Sequence, residues 1–405
     1  MKDKKVIIVG AGPAGVTLAY LLARNGVSVL LLEKHRDFKR AFRGEGLQPS
    51  GIDAFQQMGL GERLMQLPKS LVKTIDLYQG GRVRVRIPTE PLGFIGCFIS
   101  QPAVLQMLVD EAQQYPNFQL ELGVNVRDLL REGDRVVGVI ADTPEGRREY
   151  TAELVVGTDG RHSTLRRHGP FAELSAPQSF DILWVKVPFP DFWPDRTTVR
   201  LEFGPGYLTG GFPSSDGQLQ TGFTMVKGSY KQLRAGGPSV MMEELLPRMS
   251  PDLAAHLRQH PEAVSHAVLL DVIVGRLTTW TGPGLLLLGD AAHAMSPIGG
   301  QGINIALRDA LVAANHLCPV LTSGSDRTTI DAAARRVESE RMPEIITIQE
   351  HQKKQARLFL EPGRAISKIA LTLVPLLVRT GLVKVLAGNR LKALQHGVVP
   401  VCLTV

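Results

Sequence analysis

Cysteine is scarce in this chain of 405 residues: Cys97, Cys318 and Cys402 lie far apart, and no CxxC pair occurs. That excludes a disulfide framework and a thiolate zinc site, and it suits a reducing, cytoplasmic setting. Aromatic residues are few, at 6%, and no N-x-[ST] acceptor, GxSxG elbow or GxxxxGK[ST] loop appears. Serine-hydrolase and P-loop chemistry are therefore not expected. His256 and His260 have the i,i+4 spacing of paired metal ligands. They lack the glutamate of a zinc-protease helix and any clear third ligand, so no metal is expected.

Net positive charge is missing from most of the chain. The net charge is +7, but His351–Val405 alone holds nine Lys/Arg against the single acid Glu361, which leaves −1 for residues 1–350. A nucleic-acid partner is not expected, because its charge would sit near the active centre among aromatics. Long apolar runs are missing too. The N-terminal lysines are followed by only Val6–Val9 before glycines intervene, which is too short for a signal peptide. Within residues 364–395 the longest uncharged stretch is about ten residues and Pro375 interrupts it, so it is no membrane span. Arg364, Lys368 and Arg379 lie near one helical face, and Ile366, Ile369, Leu373, Leu376 and Leu377 fall mostly on the rest. Such a helix can lie in an anionic membrane surface or pack on the body with its lysines in water.

What is present is an alternation of buried strands and helices. Val6–Val9 reads as a buried parallel strand, Val16–Arg24 as a helix stopped by Gly26, and Val27–Leu32 as a second buried strand. Thr74–Ile87 reads as a hairpin about Gly80-Gly81, and a helix is predicted from Gln101 to Gln114. Strands are predicted at 119–121, 125–130, 135–141 and 154–156. From Ser175 to Val274 the pattern is strands with one helical stretch near Met241–Arg258, and then Leu285–Leu288 returns to a buried strand before a helix from Gly302. The fold class is α/β: a Rossmann-like nucleotide domain entered three times, with an inserted β-rich domain and C-terminal helices. The expected division is 1–75, 101–175 and 279–345 for the nucleotide domain, 76–100 and 176–278 for the β-rich domain, and 346–405 for the helical tail.

Gly10-x-Gly12-x-x-Gly15, with Ala14 inside it, falls between strand and helix. The first glycine allows the tight turn, the second admits a pyrophosphate, and the third lets helix and strand pack closely. Glu33, with Lys34 beside it, ends the next strand, where an acid bonds ribose hydroxyls. A second signal separates flavin from nicotinamide. Gly289-Asp290 ends a buried strand, and Pro297, Gly299, Gly300, Gly302, Ile303 and Asn304 follow. The aspartate is placed for ribityl hydroxyls, and the helix from Gly302 points its positive end at the ring edge that becomes negative on reduction. Asp159-Gly160, after its own buried strand, is the third piece. His293 reads as a helix-start residue packed near the cofactor.

In motif order over roughly residues 5–345, the chain resembles the single-component FAD-dependent aromatic hydroxylases. That class is represented by p-hydroxybenzoate hydroxylase, kynurenine monooxygenase and the ubiquinone-pathway hydroxylases. The resemblance implies that Arg43 and Gln101 contact FAD, that Asp159 serves both FAD and NAD(P)H, and that Asp290 and Pro297 lie at the flavin. Thr158 departs from the alanine usual before Asp-Gly. The implied chemistry is flavin reduction by NADPH or NADH, formation of a C4a-hydroperoxide with O2, and oxygen transfer to an apolar aromatic or isoprenoid-like substrate. No second dinucleotide fingerprint is present. The basic residues after Glu33 either favour NADPH or form a solvated face.

Phe94, Phe98, Phe203, Tyr207, Phe212, Pro213 and Phe223 are candidates for an apolar substrate pocket or for ordinary sheet core. Tyr207 is the candidate base, and Pro297 the other candidate at the reacting centre. Two further uses of the fold stay open on sequence alone. One is a flavin-dependent reductase of the geranylgeranyl-reductase type, and the other an FAD-binding module without catalysis. The WxWxIP-type motif of flavin-dependent halogenases is absent.

Overall fold

Lys4–Val9 is the strand about which the larger sheet is built, and its Val6, Ile7 and Ile8 have no exposed surface. In the computed structural model, which describes residues 4–38, 45–90, 96–176, 178–360 and 396–405, it pairs in parallel on both sides. Val29–Glu33 lies on one side and the end of Gly146–Gly157 on the other. Phe118–Leu122 and Leu285–Leu287 extend this parallel sheet outward, and Thr281–Gly282 adds an antiparallel edge. Five strands drawn from three stretches of chain thus place their C-terminal ends together, the end at which open α/β sheets bind ligands. The helix Pro13–Arg24 makes the first crossover, with ten of its twelve residues buried. Gly146–Gly157 serves twice, because its first half continues antiparallel into Arg135–Thr143 and Asn125–Glu132.

A second sheet of seven strands takes residues 74–79 and 82–88 from one segment and five strands between 180 and 270 from another. Alternation along each strand gives it two distinct faces. Leu183, Val185, Leu219, Phe223 and Met225 point outward, where Met241, Leu245, Leu253 and Leu257 cover them. Ile182 and Leu208 point inward and, like Ile298 and Ala356 of the first domain, pack against the cluster of Phe180, Val272 and Val274. The inner face is therefore the one turned toward the first domain.

Four sequence expectations change. The helical stretch predicted over Met241–Arg258 is broken into Gly237–Leu245, a 3-10 turn Leu246–Arg248 and Pro251–Gln259. Pro247 and Pro251 lack the N–H that a continuous helix would need there. The 76–100 segment is split: Gly96–Ile99 pairs with Gly46–Leu47 and Lys69–Val72 in a small separate sheet. The 345/346 boundary falls inside one long helix, Arg327–Leu360. His396 is helical, but residues 397–405 form neither helix nor strand.

Those last ten residues lie against the nucleotide domain. The Gln57 carboxamide donates to Val401 O at 3.0 Å and accepts from the Leu403 N–H at 2.6 Å. Asn315 does the same one residue on, with Cys402 O at 2.7 Å and the Thr404 N–H at 2.8 Å. Each amide side chain supplies the donor and acceptor that a neighbouring strand would. Most of the basic tail, residues 364–395, lies outside the described residues, as do Arg43 and Phe94. Among the described residues no helix is long and apolar enough to cross a membrane.

Candidate active site

The glycine turn is held by backbone contact. Gly10 has φ +102°, and a Cβ on it would lie 2.6 Å from Thr158 O. A Cβ on Gly15 would lie 2.1 Å from Gly10 O. Gly12 is different: its φ is −84°, and its Cβ would meet only Thr158 O at 4.0 Å. Its missing side chain leaves open space in front of the helix Pro13–Arg24, whose N-terminus has no capping side chain. An anionic pyrophosphate fits that space and those N–H groups. Thr158, the departure from alanine, is accounted for by its Oγ1, which lies 2.6 Å from Gly10 O and 3.0 Å from Val9 O.

Glu33 is 3% exposed and braces the same turn, accepting from the Ala11 N–H at 2.8 Å and the His35 N–H at 2.9 Å. Lys34 beside it is exposed. Asp159, for which the resemblance implies a dual cofactor role, is engaged by the turn that follows it. Its Oδ1 accepts from Ser163 Oγ at 2.5 Å, and its Oδ2 from the Thr164 and Leu165 N–H groups at 2.7 and 3.2 Å. The carboxylate caps the helix Thr164–His168. Burial raises its pKa above the usual carboxylate range, against the pull of these hydrogen bonds.

Asp290 sits half-buried on the 3-10 turn Gly289–Ala291 at the end of Leu285–Leu287. Pro297 opens a turn that the Gly300 N–H closes onto Pro297 O at 3.0 Å, and Gly299 and Gly300 adopt φ +80° and +61°. Three glutamines missed in the sequence hold this loop. Gln352 donates to Ser296 O and Ile298 O at 2.9 Å each, Gln349 donates to Ala294 O at 3.2 Å, and Gln48 donates to Gly299 O at 3.0 Å. Asn304, expected at the cofactor, is wholly buried and spends its amide on Gly300 O and on the Gln48 N–H. It positions the loop. The helix Gly302–Thr322 starts here without a capping side-chain bond. Ile303, Pro13, Leu47 and Gln101 line a narrow apolar cleft between the two helix N-termini.

His293 follows the 3-10 turn and starts no helix. It is 1% exposed, lies 2.7 Å from Asp309 Oδ2, and packs its ring 4.9 Å from that of Trp280. Asp309 also accepts from the Gly289 N–H at 3.2 Å and from Arg341 Nε at 2.8 Å. Arg341 pairs with Glu344, which holds Arg308 at 3.1 and 3.2 Å, and Arg308 reaches His396 O at 3.2 Å. A buried row of alternating charges thus runs from the turn at Gly289 to the C-terminal residues.

A cavity of about 830 Å³ adjoins the cleft and shares Glu45 and Gln101 with it. On the second sheet it is lined by the inner-face residues Trp184, Lys186 and Gln220 and, at the sheet's margin, by the outer-face Val185 and by Ala263. Phe98 and Phe212 meet edge-on at 5.4 Å, and Phe212 lies 5.7 Å from Trp184, so these two expected pocket residues back the wall. Three other expectations are corrected by strand register, and a fourth by the cavity lining. Tyr207, Pro213 and Phe223 share the outer face, since Thr209 pairs with Phe223 and Pro213 with Leu219. Tyr207 reaches Pro247 O at 3.4 Å and is no base for this cavity. Phe203 pairs with Leu208 on the inner face but does not line the cavity.

The chain matches the FAD binding domain family over residues 3–342, and it belongs to that family. It is an FAD-dependent monooxygenase, with NAD(P)H as the reductant typical of its kind. It is 33% identical over 387 residues to 6-methylpretetramide 4-monooxygenase of Streptomyces rimosus, covering 93% of this chain and 89% of that one. Kynurenine 3-monooxygenase of Salinispora tropica is 28% identical, over 92% and 86% of the two chains. The fold matches p-nitrophenol 4-monooxygenase PnpA of Pseudomonas putida with a TM-score of 0.77 at 18% identity, over 97% and 95%. It matches PqsL of Pseudomonas aeruginosa in complex with 2-aminobenzoylacetate with a TM-score of 0.75 at 20% identity, over 89% and 97%.

Proposed function

We propose that this monooxygenase hydroxylates a polycyclic aromatic substrate carrying acidic hydroxyl groups, bound in the cavity between the cofactor cleft and the inner face of the second sheet. The observation that carries the reading is the cavity itself. At about 830 Å³ it falls in the range of roughly 300–1,000 Å³ that holds sizeable ligands. It is lined by the indole of Trp184 and by Glu45, Gln101, Lys186 and Gln220 as polar groups. The likeness to the 6-methylpretetramide enzyme supports the same class.

In this reading FAD lies with its pyrophosphate against Gly10, Gly12, Ala14 and Gly15, its ribose toward Glu33, and its ring toward Pro297, Gly299, Gly300, Gly302 and Ile303. Arg43, Gln101, Gly289 and Asp290 complete its binding. FAD supplies electron transfer from NAD(P)H and activation of O2. The protein holds the substrate flat against Trp184 and keeps bulk water from the reacting face. The proposed substrate domain is the seven-stranded sheet with its outer helices. The basic, apolar stretch 364–395 supports a peripheral contact with an anionic membrane surface; vesicles with and without anionic lipid, tested with the full chain and with that stretch deleted, would check it.

The test of function is a panel of 6-methylpretetramide, 1-naphthol and kynurenine offered to FAD-loaded protein with NADPH or NADH. The expected result is faster NAD(P)H oxidation and a product heavier by one oxygen atom with the polycyclic phenols. Turnover confined to kynurenine would overturn the substrate class.

A further inference from the structure

Of the titratable side chains that line the cavity among the described residues, Glu45, Lys186, Arg196, Glu262 and His266, only one carboxylate is withdrawn from water. The Glu45 side chain is 11% exposed, whereas that of Glu262 is 65% exposed and lies 3.4 Å from His260. Glu45 also lines the cofactor cleft, so it stands where substrate and flavin spaces meet. Its backbone is fixed by the Ile99 N–H, which donates to Glu45 O at 2.9 Å. Its Oε2 accepts from Ser214 Oγ at 3.2 Å, and its Oε1 faces Lys186 Nζ at 3.8 Å. Lys186 in turn lies 3.1 Å from Ser214 Oγ and 2.7 Å from Asp216, whose side chain is 45% exposed. An ion pair built only for stability gains little from a carboxylate held this loosely in a cavity wall.

We propose that Glu45 is the base that takes the proton from an acidic hydroxyl of the substrate, with Lys186 and Ser214 positioning its carboxylate. The inference rests on the substrate class proposed above. In the step, the O–H bond of the substrate breaks and an O–H bond forms on Glu45. The electron pair left on the substrate oxygen enriches the ring carbons ortho and para to it, the carbons that accept an oxygen atom. Lys186 balances the negative charge that moves from Glu45 to the substrate oxygen. Glu45 returns its proton to water in the open cavity once product leaves. Burial raises the Glu45 carboxyl above its usual range, with Lys186 and Ser214 pulling the other way and Asp216 adding to the rise. A base so tuned takes a phenolic proton more readily than an exposed glutamate does.

The experiment is the pH dependence of product formation by FAD-loaded wild type and variants, using the phenol of the panel that wild type hydroxylates fastest. Failure of wild type with every phenol overturns the substrate class, and with it this inference, before any variant is made. In wild type the rate should fall on the acid side at a pH above the usual glutamate range. Glu45→Gln should lower the rate at neutral pH by about a hundredfold. Its deficit should narrow as pH rises and the phenol ionises unaided. A Glu45→Gln profile parallel to wild type overturns the proposal, because a purely structural ion pair gives a deficit independent of pH. Should Glu45→Gln fail to fold, Ser214→Ala replaces it. That variant loses a hydrogen bond to the ionised carboxylate, so the acid limb must move to higher pH, and an unmoved limb overturns the proposal.

Discussion

Asp309 Oδ2 lies 2.7 Å from His293 Nε2, and neither side chain exposes more than 1% of its surface. The same oxygen accepts from the Gly289 N–H, so one carboxylate fixes both the histidine and the turn that carries Asp290. Asp309→Ala leaves His293 and Arg341 buried without their shared partner. Breaking a buried pair of this kind costs about 3–5 kcal/mol. A urea melt at neutral pH should show that loss, and FAD content should fall with it. An unchanged melt would show that the pair is dispensable.

The same carboxylate sets an acid limit on stability. Burial would raise the Asp309 carboxyl, but His293 and Arg341 against it prevail and hold it below the usual range. A carboxyl depressed on folding stabilises fully above its unfolded pKa, near 3.9, and loses that contribution as pH falls through the lower folded value. Wild type should therefore lose stability more steeply than Asp309→Ala below about pH 4. Parallel acid melts of the two proteins would refute the assignment.

Two glycines of one motif should separate folding from cofactor binding. Gly12→Ala adds a methyl group to open space at an ordinary φ, so the melting temperature should stay near wild type while FAD content drops. Gly15→Ala places its methyl on Gly10 O and should compromise the fold itself. Equal stability of the two variants would contradict the contacts described.

Thr158→Ala restores the residue usual in the resembling family. It removes the hydroxyl that bonds the glycine turn, at a cost of about 1 kcal/mol. The thermal melt should shift by a few degrees, with FAD still bound. Complete loss of FAD would mean that the hydroxyl does more than brace the turn.

Opposite faces of one sheet give a further contrast. Trp184→Ala strips the flat wall of the cavity and should weaken polycyclic substrates about tenfold or more, given about 1.5–3 kcal/mol for a large apolar side chain. Tyr207→Phe removes one long bond to Pro247 O on the outer face, so turnover should be unchanged. A large fall in turnover with Tyr207→Phe would reinstate Tyr207 as the base.

Much of the nucleotide fold was legible because its rules are local. Only glycine tolerates the backbone of Gly10, and an acid at the end of Val29–Glu33 follows from strand and motif together. The hairpin about Gly80-Gly81 was likewise written in turn chemistry. The substrate wall was not, because Phe212 and Pro213 are adjacent in sequence and differ only in which face the pleat gives them. A shift of one residue exchanges the faces, and the sequence carries no absolute register. Gln349 and Gln352 escaped notice for another reason. Their partners lie more than 50 residues away, and a glutamine on a polar helix looks the same whether or not it meets a loop.

The central position of Lys4–Val9 has a consequence for the order in which the protein is made. That strand leaves the ribosome before the other strands of its sheet, yet one of its two neighbours ends at Gly157, and Thr158 follows at once. At about 5–20 residues per second, roughly 8–30 s of synthesis separate the strand from that neighbour. Until then the nascent chain carries a glycine turn without the hydroxyl that bonds it, beside an uncovered apolar strand edge. The glycine turn is thus braced only once Thr158 has been made, and the edge of the central strand has its longest exposure before that point.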